Sequence, residues 1–236
     1  MYGANVSTFV RVGNVKKFLG GISALEERGA PEATLMVVAG EVGLGKSSTA
    51  RWYAVQNRLP YVVMKPQATP GWLLDDLCRA MGLQPPRYAK DRFNLIIQHM
   101  AKTNRGIVID EVEHALANAG AALEQLRAIG DATELPIILV GREYVGQKIA
   151  RIPAVKSRVT STVTFQAVTR EDFGQLLTAF GLNVQGDVAS RLVKATGGSM
   201  RLGMNELRRL RDWSDQNKGK PVTPDLIKGG DDAGGR

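Results

Sequence analysis

The sequence predicts an α/β fold, a parallel sheet sandwiched by helices, followed by a small C-terminal helical domain. Three observations predict it. Short apolar runs alternate with helix-period segments, a glycine-rich loop joins the first such run to a helix, and strand signals stop after Gln166. Continuously apolar short strands belong to sheets covered on both faces, and their alternation with helices is the pattern of parallel ones.

Val15, Leu19, Ile22 and Leu25 recur at helical spacing across residues 14–28, with Asn14 as the predicted N-cap. Leu35 to Ala39 is the first apolar strand, residues 47–56 a helix and residues 61–64 a second strand. Thr69-Pro70 supplies an N-cap with proline at the first helical position, for a helix that ends at Gly82. A proline-stiffened basic loop, residues 84–90, precedes a helix that Asp91 is expected to cap and that runs to Thr103. Residues 107–109 read as the third strand, 115–129 as a helix, 137–140 as the fourth strand and 163–165 as a fifth. Thr169-Arg170-Glu171-Asp172 resembles a capping box opening a helix to Phe180. Residues 187–195 and 200–213 are two more helices, and 223–228 a short one. The expected organisation is an N-terminal helical segment at 1–30, an α/β core at 31–166, a helical lid at 167–228 and a tail, rich in Gly and Asp, at 229–236.

The composition, 44% hydrophobic and 23% charged over 236 residues, is that of an ordinary globular chain. No apolar run approaches the roughly 20 residues that span a bilayer, and residues 1–12 lack the plan of a secretory signal, so the cytoplasm is expected and no membrane partner. The single cysteine, Cys78, sits among leucines and reads as a small buried residue. Lys and Arg number 31 against 23 Asp and Glu, and this net charge of +8 points to a polyanionic partner such as nucleic acid.

Gly40, Glu41, Val42, Gly43, Leu44, Gly45, Lys46 and Ser47 match G-x-x-x-x-G-K-[ST] between an apolar strand and a helix. Glycines let the backbone curl so that successive N–H groups face a phosphate, and the helix N-terminus adds its positive end. The pattern predicts ATP binding, with Ser48 beside the loop, Lys46 bridging the β- and γ-phosphates and the Ser47 hydroxyl ligating Mg²⁺. The third strand ends in Asp110-Glu111, which places two carboxylates in the crevice at the strand ends. Asp110 is expected to hold Mg²⁺ and its waters in the Walker B manner, and Glu111 to act as general base toward the attacking water. His114 stands one residue later than in a D-E-A-H box, so that helicase motif is not transferred.

A catalytic Glu directly after the Walker B Asp, with a helical domain behind the core, resembles the AAA+ P-loop NTPases. The resemblance extends to Gly197-Gly198-Ser199-Met200-Arg201, where it implies that Arg201 acts as sensor 2 on the γ-phosphate. It also implies an arginine contributed in trans, matched by Arg158, with Arg151 as the alternative, and it places Arg142 where sensor 1 usually stands as a small polar residue. Within AAA+, Asn14-Val15-Lys16-Lys17-Phe18, residues 50–56, Leu123-Glu124-Gln125-Leu126-Arg127 and Leu139-Val140-Gly141 are similar to the phage Mu transposition protein B family, related to the TnsC and TniB transposon regulators. That likeness implies a bacterial or phage-infected host. It implies a slow ATPase, stimulated by DNA or a partner, whose ATP form assembles with itself as a helical filament or hexamer-like oligomer on duplex DNA, captures target DNA, and recruits or activates a cognate transposase. Lys65, Arg87, Lys90 and Arg92 offer charges for sequence-independent phosphate contacts. The same nucleotide motifs also fit a helicase loader in replication, or a regulatory ATPase that never touches DNA.

Overall fold

The computed structural model describes residues 9–117 and 120–227. Its sheet has five strands, β1 (Leu35–Ala39), β2 (Tyr61–Val63), β3 (Ile107–Asp110), β4 (Ile137–Val140) and β5 (Val159–Thr164). They lie in the order β2-β3-β4-β1-β5, and every pairing is parallel. The helices are α1 (Gly13–Glu26), α2 (Lys46–Gln56), α3 (Pro70–Ala80), α4 (Ala89–Thr103), α5 (Ala121–Thr133), the short α6 (Val145–Ile149) and α7 (Pro153–Lys156), α8 (Arg170–Ala179), α9 (Val188–Thr196) and α10 (Met200–Gln216). None is long and apolar enough to cross a membrane.

β1, β3 and β4 are buried at every residue, which is why they read as unbroken apolar runs. Ile107, Ile109, Ile137 and Leu139 share one core with Leu73, Leu77, Leu123, Leu126 and Ile129 from the helices. Each such side chain contributes about 1.5–3 kcal/mol by its burial. Close packing leaves no room at Gly106, where a Cβ would stand 2.1 Å from the Pro136 carbonyl oxygen. The register pairs Val38 with Val140 and Val63 with Asp110, so the strand ends rise to one rim. At that rim Asp110 is the last residue of β3, and Gly40 and Gly141 stand one residue past β1 and β4.

The chain forms two compact units. One comprises Lys17–Glu41 and Lys46–Phe165; the other takes Val42–Gly45 with the described parts of Met1–Lys16 and Gln166–Arg236. In the second unit the capping box forms: the Thr169 hydroxyl accepts from the Asp172 N–H at 3.2 Å, and the Asp172 carboxylate accepts from the Thr169 N–H at 3.1 Å. Asp172 also accepts from the Gly13 N–H at 2.6 Å.

Five expectations are corrected. Asn14 does not cap its helix. Its amide donates to the Gln166 carbonyl at 2.7 Å and accepts from the Gln166 N–H at 3.0 Å, as a peptide group would. α4 starts at Ala89 without a side-chain cap, and Asp91 stands in its first turn, where a carboxylate still faces the helix's positive end. α5 starts at Ala121 rather than 115, because Val112–Leu116 winds as a 3₁₀ turn and Gly120 enters the helix in the left-handed region. β5 begins at Val159, its first half hidden from a hydrophobicity reading by Thr160, Ser161 and Thr162. Only a 3₁₀ turn, Pro224–Leu226, stands where a last helix was expected. The expected tail, 229–236, lies outside the described residues.

Candidate functional site

The loop after β1 curls as its glycines allow. Gly43 and Gly45 adopt φ of +88° and +91°, a region that L side chains rarely enter. A Cβ on Gly43 would also meet the Ser199 hydroxyl at 2.9 Å, and the Gly43 carbonyl accepts from the Arg201 N–H at 2.9 Å. Arg201 itself is exposed at the start of α10, where Ser199 is the N-cap.

α2 begins at Lys46, whose ammonium donates to the carbonyls of Gly40 at 2.8 Å and Glu41 at 2.7 Å. An ammonium carries three N–H donors, so one remains for a ligand. Burial pushes the Lys46 ammonium below the ordinary lysine value, against the pull of Asp110, Glu113 and Glu143. The positive charge is therefore poorly solvated where it stands, and a phosphate is a better partner for it than water is. Ser47 and Ser48 are exposed on the first turn of α2.

Asp110 ends β3 and is 4% exposed. It accepts from the Glu111 N–H at 2.8 Å and from the Tyr61 hydroxyl. Burial and that bond to Asp110 hold the Tyr61 phenol protonated far above its ordinary range. Glu111 follows in the left-handed region at φ +54°, which costs a non-glycine residue roughly 1–3 kcal/mol and is typical of functional sites. Its carboxylate is half exposed, with His114 Nε2 3.8 Å away. The Glu113 carboxylate accepts from Arg142 Nε at 3.1 Å and from the Arg142 N–H at 3.3 Å. Arg142 is thereby tethered to the turn after β3.

Tyr61 and Glu113 were not among the residues expected from sequence. Neither belongs to a motif: Tyr61 reaches Asp110 because β2 flanks β3, and Glu113 meets Arg142 because β4 flanks it on the other side.

Arg158 engages a different set. Its Nε donates to Asp131 at 2.7 Å, and Asp131 also pairs with Arg127, which holds Glu124. Arg151 is exposed. Lys65 pairs with Asp76 at 2.9 Å, and Arg87 and Lys90 are exposed. Arg92 turns inward, donating to the Gly71 carbonyl at 3.0 Å and to the Arg87 carbonyl at 2.8 Å, with its Nε buried and unpaired.

A family model described as an AAA domain matches residues 30–149, which is more than half of the chain. The chain belongs to the AAA domain family. This AAA domain also resembles solved structures in fold. The ORC2 protein of Aeropyrum pernix, in ADPNP and ADP complexes, matches with a TM-score of 0.64 at 16% identity, over 93% of this chain and 67% of that one. The Holliday junction branch migration motor RuvB of Thermotoga maritima matches with a TM-score of 0.55 at 20% identity, over 91% of this chain and 66% of that one. No curated protein sequence matches it.

The residues present fit a magnesium nucleotide. Among the described residues no cluster of three or more His, Cys, Asp or Glu could cage a metal alone. A single buried carboxylate, a serine hydroxyl and a lysine beside a glycine cradle suit a cation that keeps its waters and binds through substrate phosphates.

Proposed function

We propose that this AAA domain is an ATP-dependent, sequence-nonspecific DNA-binding ATPase that assembles on duplex DNA and recruits or activates a transposase. Mg²⁺, when bound, would supply charge neutralisation on the phosphates. Lys46 holds the phosphates through its remaining N–H, while Ser47 and Asp110 hold the cation and its waters. Glu111 orients a water and takes its proton on the carboxylate. Arg201 follows the γ-phosphate through α10, and Arg158 or Arg151 serves a neighbouring subunit.

The observation that carries the DNA reading is a braced basic surface. Arg92 ties the Gly71 and Arg87 carbonyls together, which holds Trp72, Arg87 and Tyr88 outward on adjoining turns. A surface already ordered loses little entropy when it binds. With Lys65 and Lys90 it offers phosphate contacts without base readout. The nucleotide complexes of ORC2 and the junction motor RuvB, alike in fold, are compatible with this reading. The transposase rests on the sequence likeness to the phage Mu transposition protein B family.

One observation favours a second reading. Trp72 and Tyr88 are 55% and 64% exposed, and exposed aromatic rings beside cations stack single-strand bases, as a helicase loader would need. Fluorescence anisotropy with labelled duplex and single strands, in ATPγS or ADP, separates the two. The scaffold reading predicts tighter duplex binding with ATPγS, falling steeply with salt. Tighter single-strand binding supports the loader, and no binding to either at low salt overturns both.

A further inference from the structure

A cavity of about 600 Å³ lies beside the edge strand β2, lined by α2, the turn that follows it, and the C-terminal ends of α3 and α4. Arg51, Arg58, His99 and Arg105 stand on its lining, and among the described residues no Asp or Glu does. None of the three guanidiniums pairs with a carboxylate among the described residues. Between the cations the lining is aliphatic and thioether: Leu59, Pro60, Met81 and the buried Met100.

Tyr61 lines the cavity too, and its hydroxyl donates to Asp110. The Arg51 guanidinium lies 5.2 Å over the Tyr61 ring. A contiguous chain of contacts therefore runs from the cavity to the Walker B carboxylate.

We propose that this cavity receives an acidic segment of a partner protein, an aliphatic side chain flanked by carboxylates, and that Arg51 and Tyr61 relay its occupancy to Asp110. Guanidiniums without carboxylate partners favour an anion, since each gains charge-assisted hydrogen bonds to a carboxylate. The aliphatic lining decides between anions. Among the described Phe, Tyr and Trp residues only Tyr61 lines the cavity, and Arg51 covers that ring, so a nucleobase finds little to stack on. Methionines and leucine instead accommodate a branched aliphatic side chain, and methionine adapts its shape to what it meets. A carboxylate drawn to Arg51 competes for the guanidinium that faces Tyr61. The hydrogen bond that orients Asp110 is then altered, and with it the rate of turnover.

The test uses the full chain with methyl-labelled methionine and the peptide Ac-DELLDE-NH₂ as probe. Met81 and Met100 methyl resonances are expected to shift with the peptide and not with its amide counterpart, Ac-NQLLNQ-NH₂. Arg58→Glu, and the milder Arg58→Gln, are expected to weaken the peptide by about tenfold, the worth of one charge-assisted hydrogen bond. No shift with the peptide, or equal shifts with the amide peptide, overturns the site. Shifts produced by AMP at lower concentration than by the peptide reassign it to a nucleotide and overturn the proposal. The relay rests on the ATPase reading above, whereas peptide binding does not, so the two fail separately. Saturating peptide is expected to change ATP turnover in the wild type and not in Tyr61→Phe, which still binds it. Unchanged wild-type turnover with peptide bound overturns the relay.

Discussion

Lys46 is where the chemistry of one residue decides most. Only its ammonium form pairs with phosphate, and burial lowers the pH at which that form is lost. Nucleotide affinity, measured by calorimetry, is therefore expected to fall as pH rises, with a midpoint in the free protein below the ordinary lysine value of 10.5. Lys46→Ala should abolish binding while leaving the fold intact, since the desolvated charge is removed with its side chain. Glu111 gives a second prediction with two readouts. Glu111→Gln should bind ATP but lower turnover by about 10²–10⁴-fold, the usual contribution of a general base. Glu111→Gly should lose turnover as well, yet unfold with a stability raised by about 1 kcal/mol, because glycine adopts the left-handed backbone without strain. Lys46, Asp110 and Glu111 were legible in the sequence because each belongs to a local pattern joined to a strand end. Tyr61 and Glu113 were not, because their approach to Asp110 and Arg142 depends on strand order.

The Arg92 brace gives α3 and α4 a testable role in presenting the basic surface. Arg92→Ala removes the donors to the Gly71 and Arg87 carbonyls and should destabilise the fold by about 0.5–1.5 kcal/mol in denaturant titration. Arg87→Ala removes an exposed cation and should leave stability within about 0.5 kcal/mol. Both should weaken DNA binding. The combined Lys65→Ala, Arg87→Ala and Lys90→Ala variant should flatten the salt dependence by up to about three units of slope. At this scale the sequence was informative for buried strands and for the caps at Thr69 and Thr169, but not for Asn14 or Asp91. The apolar runs of β1, β3 and β4 and the Thr169 capping box could be read directly. The onset of α5 could not, since Glu111 and the 3₁₀ turn after it override helix propensity at 115–116. Arg92 reads as one more surface cation in a basic loop, and only tertiary packing turns it inward.

For the whole molecule, the fold and the nucleotide loop follow from patterns within the chain, while purpose depends on what the chain assembles with. Val42–Gly45 cluster with the unit that holds α8, α9 and α10, and within that unit the Gly43 carbonyl accepts from the Arg201 N–H. A backbone bond between a glycine loop and the first turn of a helix is the kind of link that nucleotide-controlled switches use. The exposed Arg151 and the partly exposed Arg158 are the candidates for completing a neighbour's site, and replacing the one that serves in trans should abolish turnover without abolishing ATP binding. The central claim is that ATP governs assembly of this AAA domain on duplex DNA. Electron microscopy of the protein with linear duplex and a non-hydrolysable ATP analogue tests it most directly. Continuous filaments along the DNA, absent with ADP, are the predicted result; closed rings alone, or bare duplex at low salt, would contradict it.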